Sequence, residues 1–422
     1  MRTRSPHGTD TPPDKPSCRR RGFTLLELLV AMSVLAIILV MVVEMLEATQ
    51  RSLAQARRQV SQFTEASVAF ETVTRHVGQA TLQTYLAYDN PTNPNAFVRE
   101  SQLHFVSGEA TELLGTPRAG QAGATPTHAL FFQGPFGFTL SGQDTALRTS
   151  ASFNDSPTGV QGNVLNSWGY FIEFGSDEFW RPEFMNSASS APSARERFRL
   201  MEFRPPAENN LIYKPNPRLP AQGANNNRPY LFNMTSTRKE DYRYWFTSDQ
   251  LGGVNSGSNY DTTIPLGSFR SIRPVAENII ALIILPKTGD ARLDFDTSES
   301  DAFKQVLYDG YEYDSRYWQW LTGGNHAADL PRVAENSKNV LPPVVEIVMV
   351  AIDEVSADNV VTRDSVSALE NLVNPVLFRN PALLENDISS LEMDLQDRNV
   401  AYRTFRTSVV LRESNWSEVF GN

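Results

Sequence analysis

Residues 23–43 form an apolar run of 21 positions in which Glu27 is the one charged side chain. At helical rise it spans about 31 Å, the thickness of a bilayer's hydrocarbon core, so it is long enough to cross a membrane. Residues 1–22 differ sharply. They hold Arg2, Arg4, Lys15, Arg19, Arg20 and Arg21 against Asp10 and Asp14, a formal +4, with four prolines and no apolar run. Such a segment cannot build a core. Subtracting that +4 from the whole-chain charge of −10 leaves −14 on residues 23–422. Positive-inside bias therefore expects the basic flank in the cytoplasm and residues 44–422 on the far side. An acidic working region has no basic surplus for a phosphate backbone, so nucleic acid is not an expected partner. Cys18 lies in the basic flank and is the chain's single cysteine, which excludes an internal disulfide or a thiolate cluster.

Three kinds of N-terminal segment share this layout. A cleaved secretory signal would close on a small-residue A-x-A site, and none ends the run before Glu44. A plain signal anchor accounts for the basic flank and the length, but places no demand on Gly22 or on a carboxylate five residues into the run. The string Arg21-Gly22-Phe23-Thr24-Leu25-Leu26-Glu27 resembles the processing signal of type IV prepilins and type II secretion pseudopilins. That resemblance implies cleavage after Gly22 by a prepilin peptidase and N-methylation of Phe23, with the apolar helix retained. It also implies an assembly role for Glu27, whose carboxylate meets the N-terminal ammonium of a neighbouring pilin or pseudopilin. The 22-residue leader is long and proline-rich for that family.

No proline occurs from residue 17 to 90 and no glycine between Gly22 and Gly78, so the helix is expected to continue as an amphipathic segment over 44–88. Leu46, Leu53, Val60 and Ser67, with Thr49, Ala56, Phe63, Phe70 and Val77, recur seven apart. This spacing suits a coiled coil or a helix lying on a sheet, and Ser67 and Thr74 favour the sheet by interrupting one seam. The stretch 70–80 is similar to the end of the first helix in J-type minor pseudopilins.

From residue 89 to 422 the pattern is of a mainly β domain. The segments 102–107, 129–133, 170–174, 197–204, 242–247, 278–285, 344–352 and 405–412 are rich in β-branched and aromatic residues and read as strands. The nearly continuous apolar run 278–285 is expected to be a central strand. Gly-, Ser-, Asn- and Pro-rich stretches at 115–127, 186–193, 223–227 and 252–261 read as surface connections. Leu384, Ile388, Leu391 and Leu395 share one face of an expected helix near 382–398, begun by Asn380-Pro381. The expected fold class is α+β, a long N-terminal helix packed on a mainly antiparallel β domain. The strands 341–350 and 405–412 are similar in character to late strands of J-type minor pseudopilins, and 198–206 with 276–282 resembles the larger family called Verru_Chthon cassette protein C.

Signatures of catalysis are missing: there is no G-x-S-x-G, phosphate-binding glycine loop or H-E-x-x-H. The histidines at 7, 76, 104, 128 and 326 are too dispersed to nominate a metal site, and His104 reads as a packed or half-exposed strand residue. Asp290, Asp294, Asp296, Glu299 and Asp301 suit a solvated acidic turn or a calcium loop, without the glycine and closing glutamate of an EF-hand. Tyr308, Tyr311, Tyr313, Tyr317, Trp318 and Trp320 put six rings in 13 residues, either plugging a β core or lining a recognition surface. No catalytic residue, metal or cofactor is nominated. The expected protein is a non-enzymatic, single-pass subunit of the bacterial inner membrane with its C-terminal domain in the periplasm. Its expected partners are prepilin peptidase, other pseudopilins or pilins through the N-terminal helix, and the lipid bilayer. The alternative is a signal-anchored periplasmic binding protein or enzyme.

Overall fold

The computed structural model describes residues 24–88, 93–95, 97–114, 125–139, 164–178, 180–181, 184–185, 193–207, 210–213, 243–247, 271–287, 311–316 and 339–414, with the backbone alone at 54–62, 98, 213, 244 and 247. The chain divides into two units, Met1–Arg58 and Gln59–Asn422. One 53-residue helix, α1 (Leu25–Val77), runs through both.

In the first unit every residue from Thr24 to Leu53 is exposed, and Leu25–Leu53 is long and apolar enough to cross a bilayer. Fifteen or more large apolar side chains left open along one helix are not a stable surface in water. Their chemistry matches lipid tails.

In the second unit the rest of α1 becomes one-sided. Ala66, Ala69, Val73 and Val77 are buried and Phe63 and Phe70 are partly buried, whereas Ser67, Val68, Glu71 and Arg75 are exposed. Phe70 packs on Phe405 with ring centroids 5.6 Å apart. This is the sheet-packed helix, not a coiled-coil seam. The helix stops at Val77, eleven residues before the expected end at 88, and Tyr85–Tyr88 is a strand. The reason is tertiary: after Gly78, turn bonds at Gln79 and Ala80 release the chain, Thr81 N–H donates to Gln133 on the sheet, and Gln83 adopts φ +45°.

Among the described residues eleven strands follow, all paired antiparallel. β1 (Tyr85–Tyr88) and β2 (Phe97–Glu100) make a two-stranded ribbon. β3 (Val106–Glu109), β4 (His128–Gly134), β5 (Asn166–Ser176), β6 (Glu196–Phe203), β7 (Ile272–Glu277) and β9 (Tyr313–Asp314) form a sheet of order β7-β6-β5-β4-β3-β9. β8 (Ile279–Lys287), β10 (Val344–Ile352) and β11 (Tyr402–Val410) form a second sheet of order β11-β10-β8. Short helices α2 (Ala110–Leu114) and α3 (Tyr244–Thr247) interrupt the first sheet, and α4 (Glu354–Arg363), α5 (Val366–Glu370) and α6 (Leu384–Asp397) separate β10 from β11.

Asn278 joins the two sheets. It sits at φ +60°, a left-handed conformation that asparagine tolerates better than most residues. Its N–H donates to Phe198 of β6 while its C=O accepts from Ile352 of β10. One residue thus turns the segment 272–287 from the six-stranded sheet into the three-stranded one. β10 is the central strand there, and β8, expected to be central, is an edge. Burial and ladder position differ because β8 packs across β4, β5 and β6, which hides it on both faces. Its outward edge is also capped: Leu282 N–H donates to Thr127 Oγ1 at 3.1 Å and Ile284 N–H to His128 Nδ1 at 3.0 Å.

Two further expectations are corrected. The aromatic segment expected as a strand over 242–247 is helical at Tyr244–Thr247, because Trp245 and Phe246 plug the face of the six-stranded sheet, Phe246 stacking on Phe131 at 4.2 Å. Residues 102–105 precede β3 instead of belonging to it. Their backbone donors go to side chains, His104 N–H to Gln133 Oε1 at 2.7 Å and Phe105 N–H to Ser315 Oγ at 3.0 Å. The late helix matches its reading: Leu384, Ile388, Leu391 and Leu395 are its buried residues, and Asn380 Oδ1 accepts the Ala382 N–H beside Pro381. The loops at 186–192, 223–227 and 252–261 and positions 115–124 lie outside the described residues.

Candidate functional site

The expected processing residues Gly22 and Phe23 lie outside the described residues, which begin at Thr24. From there the start of α1 is defined at atomic level. Thr24 stands immediately before the first helical residue, and Glu27 is three positions on, the spacing of a capping box. Glu27 N–H donates to Thr24 Oγ1 at 3.3 Å, while Glu27 Oε2 accepts from Thr24 N–H at 3.0 Å and Thr24 Oγ1–H at 3.1 Å. The carboxylate therefore folds back toward the backbone bond that follows Phe23, and the two side chains reciprocally answer two orphan N–H groups of the helix start, those of Thr24 and Glu27. Sequence reasoning singled out Glu27 for assembly and missed this second job. The T-x-x-E signal that reveals it was present in the string.

The globular unit holds three buried polar centres around histidines. His128 is fully buried, its Nδ1 accepting from Ile284 N–H at 3.0 Å and its Nε2 lying 3.0 Å from Phe378 C=O, so Nε2 carries the proton. Burial, against a smaller opposing pull from those two backbone bonds, lowers its pKa to about 4. His104 Nε2 lies 2.6 Å from Asp314 Oδ1, and Trp245 Nε1–H donates to its Nδ1 at 3.1 Å. Burial pulls His104 down, and the Trp245 bond requires a lone pair on Nδ1, so the ring is neutral. Burial works against the Asp314 carboxylate, yet His104, Arg243 and the Arg316 N–H hold it below its usual range. His104 is thus packed, as one of its two readings had it, though not in a strand.

The third centre closes α1 onto the sheet. Glu202 Oε1 accepts from Trp168 Nε1–H at 3.0 Å and Tyr170 O–H at 2.9 Å, and Oε2 accepts from Arg273 Nε–H at 2.7 Å. His76 Nδ1 lies 2.5 Å from the Tyr170 hydroxyl. Burial lowers the His76 pKa, opposed by Glu202 and assisted by Arg75, Arg273 and Arg204. In His104 and His128 both ring nitrogens are taken up in hydrogen bonds within the fold. Among the described residues no group of three or more His, Cys, Asp or Glu side chains is placed to hold a metal ion. A groove of about 310 Å³ lies beside the ends of α4 and α6, and its two guanidiniums, Arg363 and Arg398, are engaged by Asp364 and Asp394.

Of the aromatic cluster, Tyr311 and Tyr313 are described and both are buried. Tyr313 O–H donates to Val340 C=O at 2.7 Å, and the Tyr311 ring lies 4.4 Å from His128. These two rings are core. Tyr308, Tyr317, Trp318 and Trp320, the acidic stretch 290–301, His7 and His326 lie outside the described residues.

Comparison with family models matches residues 17–43 to the prokaryotic N-terminal methylation motif, the signature of type IV prepilins and pseudopilins. The match includes Gly22, Phe23 and Glu27. Neither the curated proteins nor the solved structures contain a match to the chain.

Proposed function

We propose that this protein is a non-enzymatic, membrane-anchored, pseudopilin-like structural subunit of a type II secretion or type IV pilus-like assembly. The observation that carries the reading is the N-terminal methylation motif placed on an exposed apolar helix whose first turn is organised by Thr24 and Glu27. In this reading the basic leader stays in the cytoplasm, the peptidase cuts after Gly22, and Phe23 becomes the methylated N-terminus. Glu27 then lies four residues from the new ammonium, on the same helical face. Each subunit can offer a carboxylate to its neighbour's ammonium, which sets axial register when the apolar helices pack together. Desolvating both charges offsets much of their attraction, so the pair selects register more than it adds net stability. The globular unit, at the other end of the same chain, supplies the surface that the assembly displays outside the cytoplasm.

The test is mass spectrometry of the protein's N-terminal peptide from the membrane fraction. The expected peptide begins with N-methylated Phe23. An intact leader would instead favour the signal-anchored binding protein or enzyme. A reporter active only in the cytoplasm, fused at Asn422, should stay silent.

A further inference from the structure

The two edges of the three-stranded sheet are finished differently. On β8 the outward N–H groups of Leu282 and Ile284 are taken up by Thr127 and His128. On β11 they are not. Leu411 N–H donates to Pro343 C=O and Asp353 N–H to Ala401 C=O, both in the β10–β11 register, so the odd-numbered residues of β11 face β10. The N–H and C=O groups of Tyr402, Thr404, Arg406, Ser408 and Val410 face away, and among the described residues nothing pairs with them. The register with β10 holds over all nine residues without a bulge. Both faces of the strand are occupied, Phe405 by Phe70 of α1, and Thr404 and Tyr402 by Glu392 and Gln396 of α6. Among the described residues the edge itself is uncovered, with Arg403, Arg406 and Ser408 exposed and Val410 at 65%. A long, regular, uncovered edge is a template for another strand.

The charges say which strand. Residues 399–412 carry Arg403, Arg406 and Arg412 and no acidic residue, in a region 23–422 whose net charge is −14. Arg406 is already engaged by Glu346 and Glu385, while Arg403, whose guanidinium lies 5.1 Å from the Phe405 ring centroid, and Arg412, two residues beyond the strand, are both exposed. A second copy is a poor occupant. Full-length antiparallel pairing of β11 with itself would set Arg403 opposite Val409, and because residues 399–412 carry no acidic side chain, no register of a second copy offers these arginines a carboxylate.

We propose that the β11 edge receives an extended acidic segment of a partner protein as a fourth strand, by β-augmentation. Main-chain bonds to the five outward residues supply affinity, and Arg403 and Arg412 select the acidic sequence. The inference concerns the globular unit and holds whichever machine the N-terminal helix serves.

The test uses the full chain in detergent with a nine-residue peptide of alternating valine and glutamate, and a control peptide with lysine in place of glutamate. Binding is followed by fluorescence anisotropy, and hydrogen exchange locates the amides that become protected. The glutamate peptide should bind, protect 404–410 and weaken with added salt, while the lysine peptide should not bind. Ser408→Pro removes an outward N–H that plays no part in the β10 ladder, and should weaken binding at least about tenfold. Should that variant fail to fold, Arg403→Glu with Arg412→Glu should reverse the preference between the peptides. Equal binding of both peptides, no protection over 402–410, or peptide-free dimerisation that protects the same amides would overturn the proposal.

Discussion

Acidification should loosen the globular unit through His128, and the size of the effect follows from two hydrogen bonds. Nδ1 accepts from the Ile284 N–H while Nε2–H donates to the Phe378 C=O, each at 3.0 Å. A proton added at Nδ1 would aim one N–H at another in a site without solvent. Folding therefore lowers the pKa to about 4, from about 6.5 in an unfolded chain. Because the folded value is the lower one, the unfolded chain binds more protons in between. The stability is fully present above about pH 6.5 and is lost as pH falls toward 4. Linkage puts the loss at about 2 kcal/mol between pH 7 and 5, and about 3 kcal/mol by pH 4. His76 and His104, also lowered by burial, act in the same direction, so the contribution of His128 must be isolated. In His128→Asn the amide oxygen can still accept from Ile284 but cannot titrate. Urea unfolding of the full chain in detergent, followed by tryptophan fluorescence, should show a smaller loss of stability in the variant than in the wild type between the two pH values, by about 2 kcal/mol. Equal losses in both proteins would refute the assignment.

Glu27→Gln should preserve the capping box, since glutamine fills the third position as well as glutamate does. Membrane insertion and cleavage after Gly22 should then proceed while co-purification with partner subunits falls, and unchanged co-purification would remove Glu27 from assembly. Asn278→Ala places a Cβ-bearing residue without a local hydrogen-bonding side chain at φ +60°, and should cost about 1–2 kcal/mol in urea unfolding. Asn278→Gly should recover part of that cost. At Gly169 an added Cβ would come within 2.2 Å of the Phe131 ring, so Gly169→Ala should lower stability by about 1–3 kcal/mol as the ring is displaced from Phe246. A melting temperature equal to wild type would show that the ring moves freely. Phe70→Ala, at a half-buried ring packed on Phe405, should cost about 2 kcal/mol, below the range for a fully buried phenylalanine. A loss under about 0.5 kcal/mol would show that this contact adds nothing to the docking of α1.

The sequence by itself determined the parts whose chemistry is local and repeated. An uninterrupted apolar run after a basic flank sets the span. The string from Arg21 to Glu27 sets the processing motif. The three- and four-residue spacing from Leu384 to Leu395 sets α6 and its buried face. Most strand cores are legible for the same reason, since β-branched and aromatic residues repeat along them. What only the tertiary structure decided depends on partners far away in the chain. The segment 272–287 is continuous in sequence, yet Asn278 splits it between two sheets because its N–H and C=O reach β6 and β10. The aromatic segment at Tyr244–Thr247 has strand composition and becomes a helical plug because Phe131 offers it a ring to stack on. α1 ends at Val77, just before Gly78, where the chain leaves the helix and Thr81 finds a carbonyl on β4. His104 and His128 gave no signal of their roles, since Asp314 lies 210 residues and Phe378 250 residues away in sequence. The open edge of β11 is likewise invisible in sequence. An edge is defined by the strand that is not beside it, and that is a property of the folded sheet alone.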